Sequence, residues 1–222
     1  MSLAERYNAT IADVAAAARD NGRDPSSITT IVVTKFHPAA LVRELAALGA
    51  RDVGENRHQE AAAKAAETLE LGLTWHFIGQ LQSNKAAAAL EYARVIHSVD
   101  RGSLVDALAK TGLPVEVFLQ LNLTDDPQRG GVQPAALGEL AQRVLASDSL
   151  TLRGIMAVAP LGEDPAAAFD RVRAASTRLV ELAPQATDLS IGMSGDFREA
   201  IAAGATHLRI GTAITGNRPP QG

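Results

Sequence analysis

The sequence predicts a single-domain α/β protein: a (β/α)8 barrel of the TIM type that spans residues 1–222 and carries an extra N-terminal helix. Eight short apolar runs alternate with helical patterns along the chain, which is typical of parallel strands joined by crossover helices. No shift in composition marks a domain boundary, and no Gly-x-Gly-x-x-Gly follows the first strand. Because eight strand–helix units favour a closed barrel over a doubly wound sheet, we expect the barrel.

The first half of the chain contains an initial helix and four predicted strand–helix units. Apolar residues at helical spacing, beginning at Leu3 and Tyr7, predict a first helix that ends near Asn21-Gly22. Runs rich in β-branched and aromatic residues predict the strands, and apolar periodicity predicts the helices. The predicted strands are 30–35, 51–53, 73–78 and 94–98, and the predicted helices are 38–48, 58–69, 85–92 and 102–110.

The second half contains four more predicted strands and one irregular polar segment. Residues 124–131 are polar, and we expect Asp125–Gly131 to form a mobile rim. After the last strand, Asn217-Arg218-Pro219-Pro220 prevents a full helix, so the N-terminal helix is expected to take part of that covering role or to cap the bottom of the barrel. The predicted strands are 115–122, 152–158, 189–191 and 206–210, and the predicted helices are 134–146, 165–182 and 196–203.

The composition excludes several classes of function. The net charge is −4, there is no basic run, and only 4% of the 222 residues are aromatic, so a nucleic-acid surface is not indicated. The absence of cysteine removes disulfides and thiolate chemistry, and no His, Asp and Glu cluster has metal-ligand spacing. Without a membrane-length apolar stretch or a signal-peptide core, we expect a soluble cytoplasmic monomer with no membrane partner.

Lys35 is the first candidate for chemistry. It ends the run 30–35, which carries no other charge, and Pro38 opens the next helix, so Lys35 lies where a strand becomes a loop. Two interpretations are open. The lysine either extends its ammonium group into water, or it is partly desolvated and forms a Schiff base with a carbonyl ligand.

Two loops of small residues follow the seventh and eighth strands, where barrels often bind phosphate. They are Gly192-Met193-Ser194-Gly195 and Gly211-Thr212. Small residues let backbone N–H groups approach an anion, and the two hydroxyls add donors. Either loop alone also fits a simple βα turn, but the pair favours a phosphate site. Because the first strand neighbours the eighth in a closed barrel, this site faces Lys35, which indicates pyridoxal phosphate or a phosphosugar.

Arg209 favours pyridoxal phosphate. It lies one residue inside the end of the eighth strand and points into the barrel if Leu208 and Ile210 face the helices. A guanidinium there suits the pyridine nitrogen of the cofactor. The alternative is an ion pair with a strand carboxylate at the barrel floor. Asn56, after the second strand, is placed to hydrogen-bond the ring oxygen of the cofactor.

Six segments in order give the chain a family resemblance. They are Val33-Thr34-Lys35, Gly54-Glu55-Asn56, Trp75-His76-Phe77-Ile78-Gly79, Leu81-Gln82-Ser83-Asn84-Lys85, Gly192-Met193-Ser194 and Arg209-Ile210-Gly211-Thr212. Together they resemble the pyridoxal phosphate homeostasis protein family, which is similar to the barrel domain of alanine racemase, and the block 75–85 is the most specific. The resemblance implies pyridoxal phosphate as an internal aldimine on Lys35, Arg209 near the pyridine nitrogen, and Ser194, Gly211 and Thr212 around the phosphate. Gln80 (usually proline) and Val53 (commonly aromatic) depart from the family pattern and bear on loop geometry.

Three functions are compatible with these residues. The first is a binding protein that holds pyridoxal phosphate for storage or for delivery to apo-enzymes. The others are an amino-acid racemase and a Schiff-base aldolase acting on phosphosugars. A racemase of this type needs a tyrosine from a second domain, but Tyr7 and Tyr92 are predicted in helices away from the strand ends. The aldolase lacks a second lysine or carboxylate on neighbouring strand ends. We therefore expect a binding protein without catalytic residues or efficient amino-acid turnover.

The remaining polar candidates have simpler interpretations. His76 and His97 fall on predicted strands and are expected to be hydrogen-bonded core residues, whereas His37 and His58 are expected to be solvated. Lys85, with Asn84 before it, begins a helix and is expected to stabilise its loop.

Overall fold

Eight parallel strands close into a barrel in the computed structural model, which describes residues 1–126 and 129–217. The strands pair in chain order and the eighth pairs with the first, so the predicted fold class is confirmed. The strands are β1 (Thr29–Val33), β2 (Asp52–Glu55), β3 (Thr74–Phe77), β4 (Ala93–Val99), β5 (Val115–Gln120), β6 (Leu150–Met156), β7 (Asp188–Ser190) and β8 (His207–Ile210).

Helices cover the outside of the barrel. The described helices are α1 (Leu3–Asp20), α2 (Ala39–Ala47), α3 (His58–Glu67), α4 (Ala86–Leu90), α5 (Gly102–Ala109), α6 (Leu137–Leu145), α7 (Pro165–Leu182), α8 (Phe197–Ala202) and α9 (Thr212–Thr215). Short 3-10 turns occur at Pro25–Ser27, Leu69–Leu71, Ser83–Lys85 and Pro134–Ala136. Among the described residues, no helix is long and apolar enough to cross a membrane.

The N-terminal helix takes the place of an eighth covering helix. Only the one-turn helix α9 follows β8 in the described chain, and α1 packs against both α8 and α9. Arg6 Nε donates a hydrogen bond of 2.8 Å to the carbonyl oxygen of Ile214, and Arg198 on α8 lies 3.5 Å from Asp13 on α1. The expected covering role is therefore observed. The predicted helix break falls, from residue 218 onward, outside the described residues.

Some element bounds differ from the prediction. β1 ends at Val33, so Lys35 belongs to the following loop rather than to the strand. The helix predicted at 85–92 is a 3-10 turn followed by the short helix α4, because the chain must reverse before β4 begins at Ala93. Tyr92 consequently lies in a turn. In the predicted rim 125–131, residues 127 and 128 lie outside the described residues.

The protein has two buried regions that differ in composition, one outside the strands and one inside the barrel. Outside the strands, side chains such as Ile96 and Leu119 pack with helix residues such as Phe169 in one large apolar core. Inside the barrel, Phe118 and Met156 form part of a small apolar cluster. The interior also contains the apolar Ile31 and Val33 and the buried polar side chains of His76, His97, Ser190 and Arg209, and such polar groups are unusual in a packed barrel core.

Candidate functional site

Lys35 lies at the mouth of the barrel, which we define as the end where the strands have their C-termini. Within β1, Ile31 pairs with Arg209 of β8 and Val33 alternates onto the same inward face, and Lys35 follows two residues later in the loop. The Val33 Cβ lies 3.7 Å from where a Cβ on Gly211 would stand, which relates this side to the end of β8. The Lys35 side chain is exposed, as in the first of the two interpretations and not desolvated as in the second, because the residue lies beyond the strand. Its Nζ lies 5.9 Å from the centroid of the Phe36 ring.

Side chains from α3 hold the loop that carries Lys35. Lys64 Nζ donates a hydrogen bond of 2.8 Å to the carbonyl oxygen of Thr34. Glu60 Oε2 accepts one of 3.3 Å from the backbone N–H of Phe36. Phe36 has a left-handed φ of 69°, which is costly for a bulky residue and persists only where surrounding contacts impose it. The backbone on both sides of Lys35 is therefore fixed by α3.

Lys64 also forms a buried ion pair that sequence reasoning missed. Its Nζ lies 2.7 Å from Glu55 Oε1, and the two side chains are 9% and 0% exposed. Burial raises the pKa of Glu55 although hydrogen bonds from Lys64 and Thr34 act in the opposite direction. Glu55 Oε2 is buried without a partner among the described residues. The available signal was spacing, because Lys64 falls on the buried face of α3 together with Ala61 and Ala65.

Asn56 follows β2 directly and lies at the mouth. Its Oδ1 is buried and has no hydrogen-bond partner in the described part of the chain. The backbone of Gly79 packs against Asn56, because a Cβ on Gly79 would lie 2.2 Å from the Asn56 carbonyl oxygen. Only glycine allows this approach. The Trp75–Lys85 block therefore helps to position Asn56.

Arg209 lies inside the barrel beneath the mouth. It is 5% exposed, and NH1 donates to the Ser190 hydroxyl (2.7 Å) and carbonyl, while NH2 donates to the Ala157 carbonyl (2.8 Å). The inward direction is confirmed. The alternative prediction, an ion pair with a strand carboxylate at the barrel floor, is wrong, since Arg209 pairs with no carboxylate of the described residues. Burial lowers its pKa to about 10, so the guanidinium remains cationic near neutral pH.

The two loops of small residues are joined at the mouth. The backbone N–H of Ala213 donates a hydrogen bond of 3.2 Å to Ser194 Oγ. Gly192 has a φ of 92°, and a Cβ there would lie 2.6 Å from a Cβ on α8, so this turn requires glycine. Ser194 is half-buried, and Gly211 and Thr212 lie beside it with the Thr212 side chain exposed. The loops thus form one surface of backbone N–H groups and hydroxyls.

A series of hydrogen bonds crosses the barrel interior and ends at Arg209. Asp52 Oδ1 lies 3.0 Å from His76 Nε2, and His76 Nδ1 lies 2.9 Å from His97 Nε2. His97 Nδ1 lies 2.8 Å from Ser190 Oγ, which accepts from Arg209. Both histidines are buried and hydrogen-bonded, as predicted. Sequence reasoning did not connect them to Arg209.

Buried neutral histidines should make the stability of the protein depend on pH. Burial lowers the pKa of His97 well below 6.5 and that of His207 to about 4, although Asp188 and Asp52 oppose the shift of His207. In the unfolded chain these two histidines bind protons near pH 6.5, whereas in the folded protein they stay neutral to lower pH. The free energy of unfolding should therefore be highest above pH 6.5 and decrease as the pH falls towards 4. Glu55 acts in the opposite direction, because its raised pKa lets the folded protein bind up to one proton more than the unfolded chain in this pH range.

His37, whose pKa is also lowered by burial, can add a third proton, so we expect the free energy of unfolding to fall by about 1.4 to 4 kcal/mol per pH unit in this range. Urea unfolding at several pH values between 7.5 and 4.5 measures the slope. His207→Asn should reduce it by about one proton, and a pH-independent free energy would contradict the prediction.

The other two histidines differ from the prediction that both are solvated. His37 is buried, and burial lowers its pKa. Its backbone N–H donates to the Thr34 carbonyl in a tight turn, which is what brings this residue under the loop. His58 is half-buried and stacks on Tyr92, with the ring centroids 5.9 Å apart.

Lys85 lines an open cavity of about 400 Å³ beside Asn56. The loop-stabilising role expected of it is instead observed for Arg101, whose NH2 donates to the Leu81 carbonyl at 2.6 Å and to Ser83 Oγ at 3.3 Å. Among the described residues, no group of His, Asp and Glu is arranged to hold a metal ion.

Comparisons with known proteins identify relatives along almost the whole chain. Residues 6–219 match the alanine racemase N-terminal domain family. The pyridoxal phosphate homeostasis protein of Pseudomonas aeruginosa is 42% identical over 224 residues, covering 98% of this chain and 96% of that protein. Its counterpart in Escherichia coli K12 is 39% identical over 215 residues, covering 92% of each.

Solved structures extend the similarity to the fold. PipY of Synechococcus elongatus, solved with pyridoxal phosphate bound, superposes with a TM-score of 0.85 at 39% identity, covering 97% of this chain and 100% of that one. Alanine racemase from Corynebacterium glutamicum has a TM-score of 0.69 at 17% identity, covering 97% of this chain and 62% of that one, and therefore shares the barrel fold.

Proposed function

Because this chain belongs to the pyridoxal phosphate homeostasis proteins within the alanine racemase N-terminal domain family, we propose that it binds pyridoxal phosphate through a Schiff base on Lys35. Residues 1–222 then act as one cofactor-binding domain, which holds the cofactor for storage or for delivery to apo-enzymes. What supports this proposal is topology: the loops that carry Lys35, Ser194 and Gly211-Thr212 follow β1, β7 and β8 at the same end of the barrel, and Arg209 is on β8.

The residues at the mouth fit this cofactor. Asn56 Oδ1 is buried without a partner among the described residues and can accept a hydrogen bond from a ligand, whereas the amide Nδ2 is the group that would donate to the ring oxygen of the cofactor. Arg209 uses three of its five N–H groups on described protein atoms, which leaves donors for the pyridine nitrogen. Ser194, Gly211 and Thr212 offer hydroxyl and backbone donors to the phosphate. The bound cofactor would supply an electrophilic carbon at which amines exchange.

The same residues explain why amino-acid turnover should be inefficient. Racemisation requires one group that removes a proton from one face of the substrate carbon and another that returns it on the opposite face. Lys35 can serve one face. Tyr7 lies in α1 and Tyr92 precedes β4, so neither tyrosine is at the mouth. Arg209, a cationic donor, also keeps the ring nitrogen unprotonated and weakens the ring as an electron sink.

We expect α-proton exchange of L-alanine and L-serine by the cofactor-loaded protein to be at least about 100-fold slower than ordinary turnover near 1 s⁻¹, since a positioned acid or base contributes about 10² to 10⁴ in rate. Incubation in deuterated water, followed by proton NMR and optical rotation, measures this. Exchange with inversion at about 1 s⁻¹ would favour the racemase, and cleavage of sugar phosphates would favour the aldolase.

A further inference from the structure

One arrangement of protons satisfies every group in the series from Asp52 to Arg209. The Asp52 carboxylate only accepts, so His76 donates to it from Nε2. His76 Nδ1 then accepts from His97 Nε2, and His97 Nδ1 accepts from the Ser190 hydroxyl. Ser190 Oγ in turn accepts from Arg209. All four hydrogen bonds therefore point the same way, from Arg209 towards Asp52.

The main alternative leaves a proton without an acceptor. A doubly protonated His76 would donate to His97, which would then donate to Ser190. Ser190 Oγ would accept twice, from His97 and Arg209, and its own proton would have no acceptor among the described residues. That arrangement would also add a second positive charge to an interior that already contains Arg209. The buried position of His97 and its cationic neighbour act against it, and they lower the pKa of this histidine.

The two ends of the series differ in their access to water. Arg209 and both histidines are at most 5% exposed. The Asp52 side chain is 27% exposed and lines an open cavity with Tyr7 and Thr29, at the end of the barrel opposite the mouth. The series thus connects a hydrated carboxylate at one end of the barrel to a buried guanidinium beneath the other.

We propose that His76 and His97 are positioning residues for the cofactor site: they hold the Ser190 hydroxyl as an acceptor for Arg209 and so orient the guanidinium towards the ring nitrogen. This inference rests on the proposed function, because it gives Arg209 its ligand. If the histidine next to Ser190 were absent, the hydroxyl could rotate its proton towards Arg209, and the guanidinium would lose one of the contacts that fix its plane.

The first experiment requires no cofactor. Nitrogen NMR of ¹⁵N-histidine-labelled, cofactor-free protein at pH 7 should show His76 and His97 as neutral rings with the proton on Nε2, with His76→Gln and His97→Phe used to assign the signals. A cationic His76, or a His97 with its proton on Nδ1, would overturn the proposal. Because the measurement is made on the free protein, its result is independent of whether pyridoxal phosphate is the ligand.

The second experiment follows the ring nitrogen of ¹⁵N-labelled pyridoxal phosphate in the loaded protein. His97→Phe keeps a ring next to Phe118, whose centroid lies 4.6 Å away. It should move the ring-nitrogen signal towards that of the cofactor in water and weaken retention about tenfold, the effect of one hydrogen bond. His207→Phe is the matched control, because His207 lies 6.3 Å from His97 by centroid and bonds to Thr206 rather than to the series.

An Arg209→Gln background separates positioning from a general structural effect. There His97→Phe should cause no further change in the ring-nitrogen signal, since its action passes through Arg209. An unchanged signal in His97→Phe alone, or a shift that persists in the Arg209→Gln background, would overturn the proposal. If the wild-type protein retained no pyridoxal phosphate, the proposed function would fail. The histidine tautomers in the free protein would still show whether the hydrogen bonds run from Arg209 towards Asp52.

Discussion

Lys35→Ala should abolish covalent attachment of pyridoxal phosphate and with it the visible absorbance of the loaded protein. The reason is geometric: Lys35 lies in the loop that follows β1 at the mouth, β1 pairs with β8, and α3 holds the loop on either side of Lys35. Absorbance before and after borohydride reduction, followed by mass spectrometry of the reduced peptides, measures attachment. We expect the reduced mass addition on Lys35 in the wild-type protein and none in the variant.

Lys85→Ala is the matched control, because Lys85 is also an exposed lysine near the mouth. It should leave attachment intact.

Ser194→Ala should keep the attachment at Lys35 but reduce retention of pyridoxal phosphate about tenfold to a hundredfold, since a hydrogen bond to a charged group contributes about 1.5–3 kcal/mol. A reduced adduct on Lys64, Lys85 or Lys110 of the wild-type protein would show that the strand-end argument is wrong.

Lys64→Met should lower the free energy of unfolding by about 3–5 kcal/mol, the cost of leaving one member of a buried ion pair unpaired. Glu55 is 0% exposed and accepts from both Lys64 and Thr34, so removal of the ammonium leaves a desolvated carboxylate with one remaining donor. Urea unfolding at pH 7.5 measures the loss. Lys110→Met, which removes an exposed lysine, should change the free energy by less than about 0.5 kcal/mol.

The double variant Glu55→Gln/Lys64→Met separates charge from packing. With the carboxylate neutralised, stability should recover by about half or more relative to Lys64→Met, because the uncompensated charge has been removed. If the double variant were less stable than the wild-type protein by the sum of the two single effects, the two side chains would be acting independently. Because Lys64 also donates to the Thr34 carbonyl, Lys64→Met should in addition loosen the loop around Lys35.

The fold could be predicted because the information is local and repeats along the chain. Each strand is a short apolar run and each helix has its own periodicity, so the order of elements implies parallel strands and, at eight units, a closed barrel. Lys35, Asn56 and Ser194 could be named as candidates because they lie in the loops that follow strands, and strand ends are where barrels have their sites. The family suggested by the block Trp75–Lys85 is confirmed by the relatives.

What could not be predicted depends on partners far apart in sequence. Glu55 and Lys64 are nine residues apart and meet because β2 and α3 turn back on each other. His97 and Ser190 are 93 residues apart and meet only across a closed barrel. His37 was predicted to be solvated and is buried, and the sequence left open whether Lys35 is exposed. Both depend on loop side chains, which follow the packing around them rather than the periodicity that decides strands and helices.

The packing of α1 against α8 and α9 has a consequence for synthesis on the ribosome. α1 is made before every strand of the barrel, but the surface it covers is formed by α8 and α9, which follow β7 and β8, and Arg6 bonds to Ile214. Contacts between the two ends of a chain form late because a long loop must close first. Until β8 has emerged, β1 and β7 keep open edges that can pair with other chains. A stalled or truncated nascent chain of this protein is therefore prone to aggregate even though every earlier strand is complete.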